Sequence, residues 1–127
     1  MNRYDADQAP DAADWLAAND DERLDEVRAY HRRLRAKMPN ERAHAMFHMI
    51  VENQLATSVA SVVETLERLQ REGLDRHDAV HAIGKVLAEH IYHIVKDQKS
   101  SPGTDLKEPY FEALRHLTAE DFRHAGS

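Results

Sequence analysis

The chain contains no cysteine. That removes disulfide bonds, a thiolate nucleophile and any sulfur-ligated metal from consideration. Glycine and proline are nearly as sparse, with four of each in 127 residues. So few turn-formers argue against a turn-rich β fold and leave helices as the natural alternative. The four glycines are scattered, and no glycine-rich phosphate loop can be read among them. No run approaches the roughly 18 consecutive apolar residues that a membrane span needs. The opening stretch MNRYDADQAPDAAD is acidic and polar, where a secretory signal would be basic and then apolar. Positive charge is also short: 17 Lys and Arg against 23 Asp and Glu leave a net charge of −6. This speaks against a general nucleic-acid or anionic-membrane surface. The expectation is a soluble cytoplasmic protein with no nucleic-acid or membrane partner, built as one domain large enough to bury a core.

What the chain does have is helical periodicity. Residues 1–10, ending at Pro10, read as a disordered N-terminus, and 11–127 as a single helical domain. Asp11 can cap a short helix anchored by Trp15 and Leu16. A long helix is expected over 20–38, with Leu24, Val27, Leu34 and Met38 inward and His31 in the same stripe. Its acids (Asp20, Asp21, Glu22) and bases (Arg32, Arg33, Arg35, Lys37) sit at the ends the helix dipole favours. Pro39 breaks the chain and Asn40 can cap a helix over 41–56. A third long helix is expected over 58–72, with Val59, Val62, Val63, Leu66 and Leu69 inward, stopped by Gly73. A fourth, over 76–98, follows a cap at Asp75. KSSPGTD (99–105) reads as a loop. The tail reads as one or two short helices, with Thr118 and Asp121 as a capping-box variant. The fold class is all-α: an up-down bundle of four main helices plus short terminal helices.

Histidine carries the chemistry. On a helix, residues four and eight apart lie nearly above one another, so His44, His48 and Glu52 form one column. His77 and His81 form a second, with Glu89 two turns beyond on roughly the same side. Nine histidines placed at random in 127 positions give about 0.6 pairs at spacing four; the chain has two. The helices carrying the columns are separated by one helix and are expected to run parallel, with their histidines at matching depth. Gly84, lacking a side chain, would let a neighbouring helix come close. Imidazole with carboxylate suits a divalent transition metal such as Zn, Fe, Ni or Mn. The candidate ligands are therefore His44, His48, Glu52, His77, His81 and Glu89. Asn53 and Gln54 could supply supporting hydrogen bonds or merely end the helix. The plainer alternative is that the columns are polar edges of amphipathic helices. His31 reads first as a satisfied core histidine, His90 and His93 as solvent-facing, and His116 as ambiguous. The basic run 28–37 reads as a solvated helix end. No Ser-His-Asp constellation is legible.

The segments HAMFHMIVENQLA and EGLDRHDAVHAIGKVLAEHI resemble a family of small bacterial proteins known only as a domain of unknown function. That family is similar in pairing a His-x3-His-x3-Glu-Asn-Gln helix with an Arg-His-x3-His-x2-Gly helix, over residues 41–95. The resemblance implies a helical fold and points to His44, His48, Glu52, His77 and His81 as the shared set; it implies no reaction. A looser resemblance is to hemerythrin-like bundles, which present a lone His, His-x3-Glu, His-x3-His and His-x4-Asp in that order. Here His31, His48 with Glu52, His77 with His81, and His116 with Asp121 follow it. That resemblance implies a di-iron centre that handles oxygen, with His31 and His116 in the same site.

Three functions compete. One is a bundle whose metal is structural, stored or sensed. Another is a metal-dependent enzyme, in which Glu52 or Glu89 could act as base beside an open coordination position. The third is a metal-free interaction module or homodimer, which would show an exposed apolar patch and no convergence of histidines.

Overall fold

The computed structural model describes residues 3–34, 40–96 and 107–125. These residues form seven helices and no strand, so the fold is all-α: α1 (Ala12–Ala17), α2 (Asp20–Arg33), α3 (Glu41–Ala56), α4 (Ala60–Arg71), α5 (Arg76–Lys96), α6 (Glu108–His116) and α7 (Ala119–Ala125). No helix of the described residues is long and apolar enough to cross a membrane. The expected ends of α2 and α5, and the loop 99–105, lie outside the described residues.

Local chemistry accounts for the helix limits. Asp11, Asn19 and Asn40 each accept a hydrogen bond from the backbone N–H three residues on, satisfying a donor that a helix start leaves unpaired. Thr118 and Asp121 cap α7 reciprocally, each side chain accepting from the other's backbone N–H. α4 begins two residues later than expected, because Ser58 takes a left-handed backbone with φ of 57°. Its stop is as expected: Gly73 has φ of +106°, a conformation that side chains rarely adopt.

Packing divides into two apolar clusters. One is built by α4, α5, α6 and α7 on one side of α3, with Val51, Val62, Leu69, Ile83 and Leu114 buried within it. The other lies across α3, where Tyr4, Trp15, Leu24, Val27 and Tyr30 meet Ala45 and Met49. The N-terminal residues expected to be disordered contribute to it: Tyr4 and Ala6 are buried. The reason is a set of long-range tethers. The Tyr4 N–H donates to Glu26, Arg33 donates to the Tyr4 carbonyl, and Arg76 donates to the Ala6 carbonyl. Trp15 donates from its indole to Asn53 at 2.8 Å and holds α1 to α3.

α3 and α5 do not run parallel as expected. Along one face of α3, His44 meets His81, His48 lies beside His81 and His77, and Glu52 reaches Arg76. Advancing along α3 thus means retreating along α5, so the two cross in opposed senses. Gly84 faces α3 at this crossing, but the approach does not depend on its missing side chain. A Cβ there would lie 3.9–4.0 Å from Val51 and Phe47, an ordinary contact distance.

Candidate metal centre

α2, α3 and the start of α5 each bring histidine to one point. His31 comes from the buried stripe of α2, His44 and His48 from successive turns of α3, and His81 from the second turn of α5. One potential ligand atom from each lies within 4.8 Å of all the others. The His44 and His81 Nε2 atoms are 3.0 Å apart, and those of His31 and His81 are 3.4 Å apart. Two nitrogens bound tetrahedrally at the usual 2.0–2.1 Å would be about 3.3 Å apart. The near pairs therefore already have ligand spacing, and the widest needs the rings to draw inward. This cluster could hold a metal ion.

The hydrogen bonds decide which nitrogens are free to do so. His31 Nδ1 lies 2.9 Å from the Val27 carbonyl, which can only accept, so Nδ1 carries the proton and Nε2 is left with its lone pair. At His48 the roles are reversed. Its Nε2 lies 2.6 Å from the Tyr4 hydroxyl, whose own proton goes to Glu52. The Tyr4 oxygen therefore accepts from His48 Nε2–H, and Nδ1 is the bare nitrogen. That Nδ1 is buried and has no hydrogen-bond partner. An orphaned buried acceptor is costly, and a cation would satisfy it.

Behind His48 the chain of partners continues. Arg76 forks onto Glu52, with NH2 to Oε1 at 2.7 Å and NH1 to Oε2 at 2.8 Å. Glu52 is fully buried and Arg76 nearly so, which makes this a bidentate pair shielded from water. Burial and the adjoining Glu52 charge push the Tyr4 hydroxyl well above its usual range, so it stays protonated as a donor. Carboxylate, hydroxyl and imidazole thus form an outer shell that orients one ring.

Burial is also the first cause of the low basicity of the rings. It lowers His31 to about 4, with His44 as the next cause, and His81 to about 3, with His77 next. His48 is pushed well below its usual value by burial and then by the surrounding imidazoles, and His44 is lowered in the same way. At neutral pH these rings are uncharged, the form that binds metal.

Of the six residues expected as ligands, His44, His48 and His81 belong to this group. His77 stands beside it: its ring centroid is 4.2 Å from that of His81, and its Nε2 is buried without a partner, but it lies outside the four. Glu52 stands behind His48 with its oxygens already engaged. Glu89 is exposed and lines a separate cleft with Ala113 and His116. The opposed crossing of α3 and α5 places it there: His81 already meets the first turn of α3, so two turns further along α5 lies past the start of that helix. Asn53 and Gln54 support α1, α2 and α6 instead of the cluster. Asn53 accepts from Trp15 and Arg23, and Gln54 accepts from Tyr110.

His31, read first as a core histidine, is a member, and Tyr4 and Arg76 are the supporting groups that sequence reasoning passed over. Arg76 stands directly before His77 in a segment already singled out, which was a usable signal; Tyr4 offered none. His116 is exposed and pairs with Glu112 at 3.0 Å, and Asp121 caps α7, so neither joins His31. His93 is also exposed, as expected, whereas His90 is half-buried and stacks on Tyr110.

One side of the cluster is open. A cleft of about 320 Å³ is lined by His44, His48 and His81 and, beyond them, by Phe47, Val80, Gly84, Lys85, Ala88 and Phe122. Comparison of the chain with protein-family models, with curated proteins and with solved structures finds no match.

Proposed function

We propose that the protein binds one divalent transition-metal ion through His31 Nε2, His44 Nε2, His48 Nδ1 and His81 Nε2. The observation that carries this reading is the buried, unpartnered Nδ1 of His48, beside three further imidazoles that converge on the same point. Two of the four tautomers are set by partners outside the cluster, each leaving its bare nitrogen available to a cation. Four neutral imidazoles and no carboxylate suit Zn, Cu, Ni or Fe and suit Mn less well. A single ion fits better than a di-iron pair, because the buried carboxylate that would bridge two irons, Glu52, is held by Arg76.

The test is elemental analysis of untagged protein, wild type beside the double substitution His48→Ala and His81→Ala, with circular dichroism to verify the fold. Wild type should hold close to one equivalent of metal and the double variant almost none. If wild type takes up none of Zn, Cu, Ni or Fe after exposure to their salts, the proposal fails, and the histidines are a packed polar layer.

A further inference from the structure

The cleft beside the histidines has two chemically distinct ends. One end is His44, His48 and His81. The other is a wall of carbon: Phe47 from α3, Val80 and Ala88 from α5, and Phe122 from α7, with Gly84 leaving the floor open. Among the described residues, the single formal charge on the lining is the cation of Lys85, and no carboxylate faces the cleft. Its volume, about 320 Å³, is at the lower end of the roughly 300–1,000 Å³ typical of small-molecule pockets.

Charge then selects the occupant. An ion held by four neutral imidazoles keeps its full double positive charge. Glu52 does not offset it, being on the far side of His48 and neutralised by Arg76. A negative group entering the cleft would meet the ion at one end and Lys85 along the wall. Beyond those two, the walls contributed by the described residues offer no donors for a doubly charged headgroup such as phosphate.

We propose that this cleft binds a small apolar monocarboxylate, with its carboxylate on the metal and its hydrocarbon body against Phe47, Val80, Ala88 and Phe122. This rests on the metal reading above. It makes the ion one that expands from four to five ligands, taking the carboxylate as the fifth from the open, apolar side of the cluster.

Cobalt(II) tests both readings separately, because its visible spectrum reports its coordination. Protein loaded with cobalt(II) is titrated with benzoate, and in parallel with benzamide, acetate and inorganic phosphate. Benzoate should shift the spectrum saturably and bind at least tenfold tighter than each of the others. Gly84→Leu should keep its cobalt and lose benzoate affinity at least tenfold, since the first carbon fits and the rest of the side chain fills the cleft. If that variant does not fold, Ala88→Leu fills the same space from the next turn of α5. Cobalt bound but indifferent to benzoate, or equally responsive to phosphate and benzamide, overturns the cleft proposal and leaves the metal reading standing. Unchanged benzoate affinity in a folded, cleft-filled variant also overturns it. Failure to bind cobalt or any other divalent ion overturns both.

Discussion

The two sides of α3 are built on different terms. On the α4 to α7 side the fully buried side chains are aliphatic, Val62, Leu69, Val80, Ile83 and Leu114 among them. The buried polar residue there, Thr65, satisfies itself by donating to the Ser61 carbonyl one turn back. On the other side four ionisable side chains, His31, His48, Glu52 and Arg76, are buried among aromatic rings. His31 is held by the Val27 carbonyl one turn back, but the ion pair depends on partners far along the chain. Arg76 needs Ala6, 70 residues away, and Glu52 needs Tyr4, 48 residues away. One side is held by area and shape. The other is held by a chain of specific partners, and its last member, His48 Nδ1, has none. Proteins that need only stability have little reason to keep such a layer, which is why the polar side is the place to look for function.

The largest single loss should come from cutting the polar chain in the middle. Arg76→Ala leaves Glu52 buried as an unpaired carboxylate and should destabilise the metal-free protein by about 3–5 kcal/mol, read from the urea midpoint. A loss under about 1 kcal/mol would mean that Glu52 finds water or another partner. Leu69→Ala should cost slightly less, about 2–5 kcal/mol, by opening a cavity in the aliphatic side. It also sharpens the contrast: metal affinity of the folded protein should be unchanged by Leu69→Ala and strongly reduced by Arg76→Ala. Equal effects of the two on metal binding would show that the two sides are not separable.

The same contrast explains what could be read in advance. The aliphatic side follows from periodicity. Val62 and Leu69 are expected inward on α4, and both are buried. Caps at Asp11 and Asn40 and the stop at Gly73 are local signals, and they hold. On the polar side, spacing of four found His44, His48 and His81, because stacking on one helix face is also local. It could not tell a ligand from a supporting group. Glu52 has the same spacing from His48 as His48 has from His44. Only Arg76 and Tyr4, brought from distant segments, engage both oxygens of Glu52 and set it behind His48. The parallel sense expected for α3 and α5 fails for a related reason: counting helices does not fix the direction in which distant helices meet.

As pH falls from neutrality, acid should act first on the histidines of the polar side. The histidine pKa values are lowered on folding, so the native state binds fewer protons than the unfolded chain as pH falls. The stability they contribute is therefore present above the unfolded value near 6.5 and is lost as pH drops toward the native values, about 4 for His31 and about 3 for His81. Thermal unfolding of the metal-free protein should show a midpoint that falls steadily from pH 7 to pH 4. Saturating metal should move the onset of that fall to lower pH, because the ion competes with protons for the same nitrogens. A midpoint independent of pH over that range would mean that the rings are protonated in the native state.

The subtlest change is a single oxygen. Tyr4→Phe keeps the ring between Trp15 and Tyr30 but removes the acceptor that holds the proton on His48 Nε2. The proton can then move to Nδ1, and binding must first return it. Metal affinity should fall about 10–100-fold, the usual cost of losing a group that orients a ligand. Stability of the metal-free protein should change less than in Arg76→Ala, since Glu52 keeps both of its Arg76 hydrogen bonds. Titration of metal against a competing chelator separates these effects. If affinity is unchanged while stability falls, Tyr4 is only a strap for the N-terminal segment, and the tautomer of His48 is set by the ion itself.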